Sequence, residues 1–328
     1  MILAGDLGGT KADLGLFTLR EGALVELASE RFESAHFSGF DSMIRAFLQN
    51  CEDSPDKAVF GVPGPVLRDR ARATNLPWEL DARQLEASLG IPEVELVNDL
   101  VATAAGLLDL PAEKFETIYQ GERHARGTRA VMAPGTGLGQ AFLVWDGTLH
   151  HALPSEGGHA DFAPRNALEI SLLQHGLESA DRLSYEHLLA GPGIGRIYEF
   201  LRDREGWEEP ANLASRLRAA PDRNAGIGEA GLAGEAGIAV ETLRLWSSLL
   251  GAEAGNMALR TLALGGVYLG GGIVTKLLPV LRQPAFREAY LAKGKLSGFV
   301  AKIPVVALLD DRAALRGAAH IALRGDGI

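Results

Sequence analysis

Three glycine-rich turns, each directly after a short apolar segment, most constrain how this chain can fold. They are Asp6-Leu7-Gly8-Gly9-Thr10-Lys11, Pro134-Gly135-Thr136-Gly137-Leu138-Gly139 and Gly270-Gly271-Gly272-Ile273. The first two separate segments with strand patterns, and the third lies between a strand and a helix. Glycine lets backbone N–H groups approach phosphate oxygens without interference from a Cβ atom. The alternative for each segment alone is an ordinary tight turn, but three such turns in one chain favour a phosphate-binding protein.

The hydrophobic pattern predicts an α/β fold, because strand and helix periods alternate along the chain. Strands are predicted at 1–6, 12–19, 24–32, 57–61, 95–98, 129–134, 139–145, 266–269 and 303–308. Helices are predicted at 40–49, 80–89, 99–108, 184–189, 193–202, 240–264, 273–281 and 312–323. Residues 226–237 are rich in glycine and alanine, which predicts a loop or a poorly capped helix. The apolar stripe of the long helix, from Leu243 through Trp246 to Leu264, is predicted to be core.

Length and charge narrow the class of protein further. A chain of 328 residues predicts two domains. The formal net charge is 32 minus 42, or -10, which disfavours nucleic acids and anionic membranes as partners. The arginines at 68–72 alternate with Asp69 and apolar residues, so a solvated loop is predicted there rather than a basic patch. Cys51 is the only cysteine, which excludes an internal disulfide and a multi-thiolate zinc site.

Targeting signals are not apparent. The first residues lack a basic region and include an acid at position 6, unlike a signal peptide. Gly, Pro and charged residues interrupt every apolar run before the ~18 residues of a membrane span. We therefore expect a cytoplasmic protein.

Acidic side chains supply the remaining candidate chemistry. Asn98 and Asp99 end an apolar strand, at the edge where α/β proteins usually bind ligands, although Asp99 could simply cap the following helix. Glu156 and His159 flank two glycines, which predicts a loop that presents both to a polar ligand. Glu186 alone would be a solvated helix residue. In the first turn, the Thr10 hydroxyl could contact phosphate, and Asp6 could hold the hydration shell of Mg²⁺.

Two common phosphate-binding signatures are absent from the sequence. It contains no Gly-x-x-x-x-Gly-Lys-Ser/Thr segment and no His-Arg-Asp catalytic loop, so a P-loop protein or a protein kinase is not predicted. The second glycine turn is not a dinucleotide fingerprint, because a strand rather than a helix follows it.

Taken in order, these segments resemble the bacterial ATP-dependent glucokinases of the hexokinase–actin ATPase superfamily. The matching segments are GDLGGTK (5–11), TNLPWELD (74–81), ELVNDL (95–100), PGTGLGQ (134–140), SEGGHADFAPRN (155–166), SYEHLLAGPGI (184–194) and YLGGGI (268–273). They span nearly the whole chain. Lys11 stands where many members carry Asn, which leaves its phosphate contact open.

The resemblance implies a fold with two ribonuclease-H-like domains, of the actin and hexokinase type, flanking a cleft. The smaller α/β domain would contain 1–108 and 311–328, and the larger one 109–310. Members are commonly dimers, so a homodimer is expected. The related repressor–kinase family carries a cysteine-rich zinc loop and, in its repressors, an N-terminal DNA-binding region. Here cysteines are missing after the Gly-His pair and the first turn starts at residue 5, so neither zinc nor DNA binding is expected.

The resemblance also implies roles for individual residues in transferring phosphate from ATP to O6 of glucose. Asp99 would be the catalytic base. The sugar hydroxyls would be held by Asn98, Asp99, Glu156, His159 and Glu186. The nucleotide would be bound by Gly5, Asp6, Leu7, Gly8, Gly9, Thr10, Lys11, Gly135, Thr136, Gly137, Gly270, Gly271 and Gly272. Mg²⁺ would be held at Asp6 through water.

Three alternatives stay open at this point. The same polar residues could hold another hexose or an amino sugar. A sugar-sensing protein of the same fold could lack turnover, although every expected catalytic position is filled. An actin-like polymerising ATPase would give no role to Glu156, His159 and Glu186.

Overall fold

In a computed structural model, which describes residues 1–51, 53–72 and 78–323, two mixed β-sheets are covered by helices. The strands are β1 Ile2–Leu7, β2 Lys11–Arg20, β3 Ala23–Glu33, β4 Lys57–Val62, β5 Val66–Leu67, β6 Arg70–Arg72, β7 Glu79–Asp81, β8 Glu93–Asn98, β9 Phe115–Tyr119, β10 Arg129–Pro134, β11 Leu138–Trp145, β12 His150–Ser155, β13 Gly266–Leu269 and β14 Val305–Leu308. The α-helices are α1 Phe40–Leu48, α2 Ala82–Leu89, α3 Asp99–Gly106, α4 Ala167–Leu177, α5 Tyr185–Leu189, α6 Gly191–Asp203, α7 Ala211–Ala219, α8 Arg223–Leu232, α9 Gly237–Thr261, α10 Gly272–Leu281, α11 Pro284–Leu291, α12 Ser297–Val300 and α13 Ala313–Ala322.

The two large sheets repeat one arrangement of strands. The first has the order β3-β2-β1-β4-β8, and the second has the order β12-β11-β10-β13-β14-β9. In each, three strands form an antiparallel meander, and two further strands run parallel to its first strand. The predicted α/β class with two similar halves is therefore confirmed. The β1–β2 and β10–β11 hairpins occupy equivalent places, so the first two glycine turns lie at equivalent sheet ends.

Burial explains the strand patterns. The parallel strands β4, β13 and β14 are buried at every position, as expected for strands covered on both faces. Most core side chains of the second sheet gather around α9, where Leu243, Trp246, Leu250 and Met257 are buried. The predicted core stripe is thus confirmed up to Met257, whereas Leu264 lies beyond the end of the helix at Thr261.

The helices α3 and α13 connect the two sheets. After β14 of the second sheet, α13 packs against α3 and against β1 and β4 of the first. The backbones approach closely there, because a Cβ on Gly106 or Gly317 would collide with the main chain of the facing helix. The chain passes between the sheets around 107–114 and 309–312, and Lys114 pairs with Asp310 at 3.0 Å between these two crossings.

Some predicted elements are wrong. Residues 68–72 are not a simple loop, because β5, β6 and β7 form a small three-stranded sheet. The helix predicted at 80–89 starts only at Ala82, since the Asp81 side chain accepts hydrogen bonds from two backbone N–H groups of the first turn. Much of 226–237 lies in α8, which the Asp222 side chain caps by accepting from Ala225 N.

The long helix also starts earlier than predicted, at Gly237, and ends before Leu262, which has a φ of 48°. The strands β9 and β12, at the two edges of the second sheet, were not predicted. Residues 74–77 of the TNLPWELD segment lie outside the described residues. The other predicted elements agree with the observed ones to within about two residues at each end.

Candidate active site

Asp99 lies at the carboxyl end of β8, as the first residue of α3. The preceding residue caps this helix: Asn98 Oδ1 accepts from Leu100 N at 2.9 Å and from Val101 N at 3.3 Å. The Asn98 amide also donates to Gly64 O at 3.1 Å. The alternative that Asp99 is the cap is therefore wrong. Its carboxylate accepts from the adjacent Leu100 N, at 2.8 Å.

The protein environment raises the pKa of Asp99 above the value that an aspartate has in water. Burial raises the pKa of Asp99 to about 6, and the negative charge of Glu156 adds to this effect. The Leu100 N–H opposes the shift by stabilising the carboxylate. A carboxylate with a pKa near neutrality, at a strand end, is suited to accept a proton.

Glu156, His159 and Glu186 come together in one cluster, and the charge of Glu156 acts on Asp99. A short 3₁₀ helix, Gly157–His159, directs the imidazole so that Nδ1 lies 3.6 Å from Glu186 Oε1 and Nε2 lies 4.0 Å from Glu156 Oε2. More than half of the Glu156 and His159 side-chain surfaces is exposed, against 31% for Glu186. The loop predicted for this segment contains one 3₁₀ turn. These three side chains form an open cluster of hydrogen-bonding groups.

Glu186 also joins this cluster to the second glycine turn. Its Oε2 accepts from Leu138 N at 2.8 Å, and a Cβ on Gly137 would lie 2.6 Å from the same oxygen. A side chain at position 137 would therefore displace the Glu186 carboxylate. A Cβ on Gly139 would collide with the side chain of Leu100, so β11 packs directly against the start of α3.

The first glycine turn closes the β1–β2 hairpin, with Gly8 N donating to Lys11 O at 2.8 Å. Just before it, Asp6 pairs across the strands with Asp13. Burial raises the pKa of Asp6 to about 7, and the charges of Asp99 and Asp13 add to this effect. The Lys11 ammonium lies 3.5 Å from Glu33 Oε1 and so forms an ion pair with a residue of the neighbouring strand β3.

An arginine balances part of this negative charge. Arg31 binds both oxygens of Asp13 at 2.8 Å and also contacts Asp311 at 3.1 Å. Asp311 belongs to the second crossing between the sheets. The first glycine turn is thus tied to that crossing by charged hydrogen bonds.

The second and third glycine turns lie side by side, because β10 and β13 are parallel neighbours. Gly271 has a φ of 86°, and a Cβ there would lie 2.6 Å from Pro134 O. Both turns border a cavity of about 690 Å³. Its walls include Gly135, Thr136, Asp222, Asn224, Gly228, Glu229, Ile273 and Lys276.

The cavity residues of α8 and its N-terminus were missed by the sequence analysis. Asp222, Asn224 and Glu229 lie in or before a segment whose glycines and alanines predicted a loop or a poorly capped helix. The available signal was Asp222 itself, an N-cap residue three positions before Ala225. A capped helix with glycine on one face is typical of a surface that something approaches closely.

The described part of the chain was searched for metal-binding groups and for helices that could span a membrane. Within residues 1–51, 53–72 and 78–323, no group of three or more His, Cys, Asp or Glu residues could hold a metal ion. In the same residues, no helix is long and apolar enough to cross a membrane.

Comparison with known proteins gives matches along nearly the whole chain. A family model described as Glucokinase matches residues 3–325. A glucokinase of Nostoc sp. is 38% identical over 342 residues, covering 99% of both chains. The crystal structure of a glucokinase from an Antarctic psychrotroph matches with a TM-score of 0.87 and 29% identity, covering 98% of both chains. At 20% identity, a glucokinase of the ROK family from Streptomyces griseus, solved with glucose and AMPPNP, shares the fold with a TM-score of 0.65.

The chain has the actin-like ATPase fold of sugar kinases. The extent of the match identifies it further: the chain belongs to the glucokinase family. It is therefore an enzyme, a kinase within the transferases.

Proposed function

We propose that the chain transfers the γ-phosphoryl group of ATP to O6 of glucose, yielding glucose 6-phosphate and ADP, with Asp99 as the general base. One observation carries most of this proposal. Asp99 is not the N-cap residue of α3, and burial together with the charge of Glu156 raises the pKa of its carboxyl to about 6. A base of this strength is mainly ionised at pH 7 and binds a proton more readily than an ordinary Asp does.

The sugar would be held by Asn98, Glu156, His159 and Glu186 together with Asp99. Carboxylates accept hydrogen bonds from hydroxyl groups, and the imidazole can donate or accept. Asn98 has less freedom, because its amide oxygen is engaged by two backbone N–H groups. An epimer would leave one of these groups without a partner, at a cost of about 1–3 kcal/mol, and such a cost is the basis for selecting one hexose.

The nucleotide would lie along the three glycine turns, with its adenosine in the cavity between α8 and α10. A volume of about 690 Å³ is within the ~300–1,000 Å³ usual for ligand pockets. The residues expected to contact it are Gly5, Asp6, Leu7, Gly8, Gly9, Thr10, Lys11, Gly135, Thr136, Gly137, Gly270, Gly271 and Gly272. The exposed hydroxyls of Thr10 and Thr136 support contact with phosphate oxygens.

Mg²⁺ would be held by Asp6 through water. One carboxylate fits this ion, because Mg²⁺ keeps several waters and takes further ligands from substrate phosphates. When bound, it neutralises charge on the phosphates. Asp6, with its raised pKa and acidic neighbours, is a site where a cation would relieve repulsion.

We further propose that residues 1–108 and 311–328 form the smaller domain and 109–310 the larger one. The two crossings near 107–114 and 309–312 would allow the sheets to close over the substrates. Closure would exclude water and limit hydrolysis of ATP. From the family resemblance we also propose a cytoplasmic homodimer that acts in glycolysis.

The decisive test is Asp99→Asn. Turnover should fall by about 10²–10⁴-fold, the usual effect of losing a general base, while glucose affinity stays within a few-fold. The matched control is Asp181→Asn, at an exposed aspartate outside the site. Retained turnover in Asp99→Asn would refute the role of Asp99.

The substrate is tested by measuring ADP release from the unchanged protein with a panel of hexoses and amino sugars. Glucose should give the highest kcat/KM. A better amino sugar or other hexose would revise the substrate. Sugar binding without ADP release from any of them would indicate a sensor.

A further inference from the structure

Glu253 is a buried charge that the proposed mechanism does not use. It lies within α9, and its side chain has 0% exposure. Its Oε1 accepts from Gln140 Nε2 at 3.1 Å and from Arg260 Nη1 at 2.7 Å, and its Oε2 accepts from Asn256 Nδ2 at 3.0 Å. Three donors thus converge on one carboxylate, as a buried charge requires.

The hydrogen bonds continue from Asn256 to two other elements. Asn256 Nδ2 also contacts the Tyr185 hydroxyl at 3.0 Å, and Lys293 Nζ donates to Asn256 Oδ1 at 2.7 Å. Burial raises the pKa of Tyr185, and the Glu253 charge adds to this effect. We call Gln140, Tyr185, Glu253, Asn256, Arg260 and Lys293 the Glu253 network.

Two members of the network touch the segments that carry the sugar-site residues. A Cβ on Gly157 would collide with Gln140 Oε1, so the Gln140 amide packs on the backbone of the 3₁₀ turn that ends at His159. Tyr185 directly precedes Glu186, and its N–H donates to Ala160 O at 3.1 Å. The network therefore supports the chain on both sides of the contact between His159 and Glu186.

The carboxylate fixes the orientation of the Gln140 amide. Since an ionised Glu253 can only accept, Gln140 must point its NH₂ group toward it and its oxygen toward Gly157. An amide at position 253 would offer one acceptor and one donor, and the donor would face other donors. The Gln140 amide would then be free to flip, which would place its NH₂ group instead of its oxygen against the backbone of Gly157.

We propose that Glu253 is a positioning residue for sugar binding: through Gln140 and Tyr185 it holds the 157–159 turn and Glu186 in place. The proposal rests on the proposed function, in which His159 and Glu186 bind the sugar. Glu253 itself touches neither substrate. Its removal should therefore weaken sugar binding more than nucleotide binding.

The test is Glu253→Gln, which keeps the size of the side chain. We expect the KM for glucose to rise between about 10- and 100-fold, the effect of small displacements in a binding site. The kcat should change by less than about threefold and the KM for ATP should stay the same, because Asp99 and the glycine turns keep their positions. A role in overall stability alone would not produce this separation.

A conservative exchange provides the rescue. In the double variant Gln140→Glu with Glu253→Gln, the amide at position 253 can donate to the carboxylate at position 140. The hydrogen bond between the two positions is thus restored in the opposite direction, so the glucose KM should recover at least partly. The matched control is Glu169→Gln. Glu169 is equally buried and binds Arg165, but the bonds that involve it stay within residues 165–169. The control should leave the glucose KM within about threefold of the unchanged protein.

An unchanged glucose KM in folded Glu253→Gln would overturn the proposal. So would equal losses for glucose and ATP, or the same loss in Glu169→Gln. Should Glu253→Gln fail to fold, Gln140→Met removes the bond from the other side. A normal glucose KM in that variant would overturn the proposal, and a selective rise would support it. Absence of glucose-dependent ADP release from the unchanged protein would instead contradict the proposed function.

Discussion

Replacing Asp6 by Asn should stabilise the folded protein while removing its turnover. Asp6 faces Asp13 across the first hairpin, and Asp99 also repels it. Burial and these two charges raise the pKa of Asp6 from 3.8 to about 7. Asn has nearly the same shape and no charge, so it removes the repulsion without creating a cavity.

The size of the effect follows from the pKa of Asp6. Because this pKa is higher in the folded protein than in the unfolded chain, the folded state binds more protons between pH 4 and 7. The free energy of unfolding therefore falls as the pH rises through that window. A pKa of about 7 instead of 3.8 lowers the free energy of unfolding by about 4 kcal/mol once the pH exceeds 7, at ~1.36 kcal/mol per pH unit. At pH 5.5, which is about 1.7 pH units above 3.8, the free energy of unfolding has fallen by roughly half of this amount.

Urea unfolding of both proteins at pH 5.5 and pH 8, without Mg²⁺ or nucleotide, measures the effect. The advantage of Asp6→Asn over the unchanged protein should be about 2 kcal/mol larger at pH 8 than at pH 5.5. Asp181→Asn, with the same change in charge at an exposed site, should show no such dependence. An equal advantage at both pH values, or an unchanged protein that is more stable than the variant at pH 8, would refute the reasoning.

Two further predictions concern the active site. Glu156→Gln removes a negative charge that raises the pKa of Asp99, so the acid limb of the kcat/KM profile for glucose should move to lower pH. A shift to higher pH would contradict this coupling. Gly271→Ala places a Cβ 2.6 Å from Pro134 O at a φ of 86°, so the KM for ATP should rise by about tenfold or more. Glucose affinity, measured by titration, should be unchanged, and an ATP KM equal to that of the unchanged protein would show that the turn tolerates a side chain.

Local sequence patterns predicted the frame of both sheets. The strands β1, β4 and β13 are mostly apolar runs followed directly by glycine or proline, and β10 ends in proline. These signals need no knowledge of distant residues. The repeated strand order of the two sheets was not visible as a sequence repeat. It depends on pairings between segments far apart in the chain, which periodicity does not contain.

The errors arose where local signals were weak or conflicting. In β6 the arginines at 70 and 72 are exposed and only Ala71 is buried, so a strand of three residues resembled a charged loop. In α8, glycine lowered the expected helix propensity, whereas the Asp222 cap and packing against α9 stabilise the helix. Tertiary contacts decided both cases.

The candidate site likewise combines features that the local sequence predicts with features that it does not. Glycine turns and acids at strand ends can be identified from sequence, but burial, charge coupling and long-range hydrogen bonds cannot. The link from Arg31 to Asp311 joins positions 280 residues apart. The carboxylate of Glu253 lies in a helix that is mostly buried core, and no local pattern separates it from a surface acid of the same helix.

Asn98 and Asp99 illustrate why position decides chemistry. Either side chain can cap a helix, and the local sequence alone favoured Asp99 as the cap. In the structure Asn98 is the last residue before α3 and takes both capping bonds, which leaves Asp99 at the first helical position. A helix N-terminus stabilises negative charge, yet burial prevails and the pKa of Asp99 remains at about 6. Compared with an ordinary value of 3.8, this corresponds to about a hundredfold higher affinity for a proton, and the group is still mainly ionised at pH 7. Capping by Asn98 therefore leaves the Asp99 carboxylate available for the proposed role as the base.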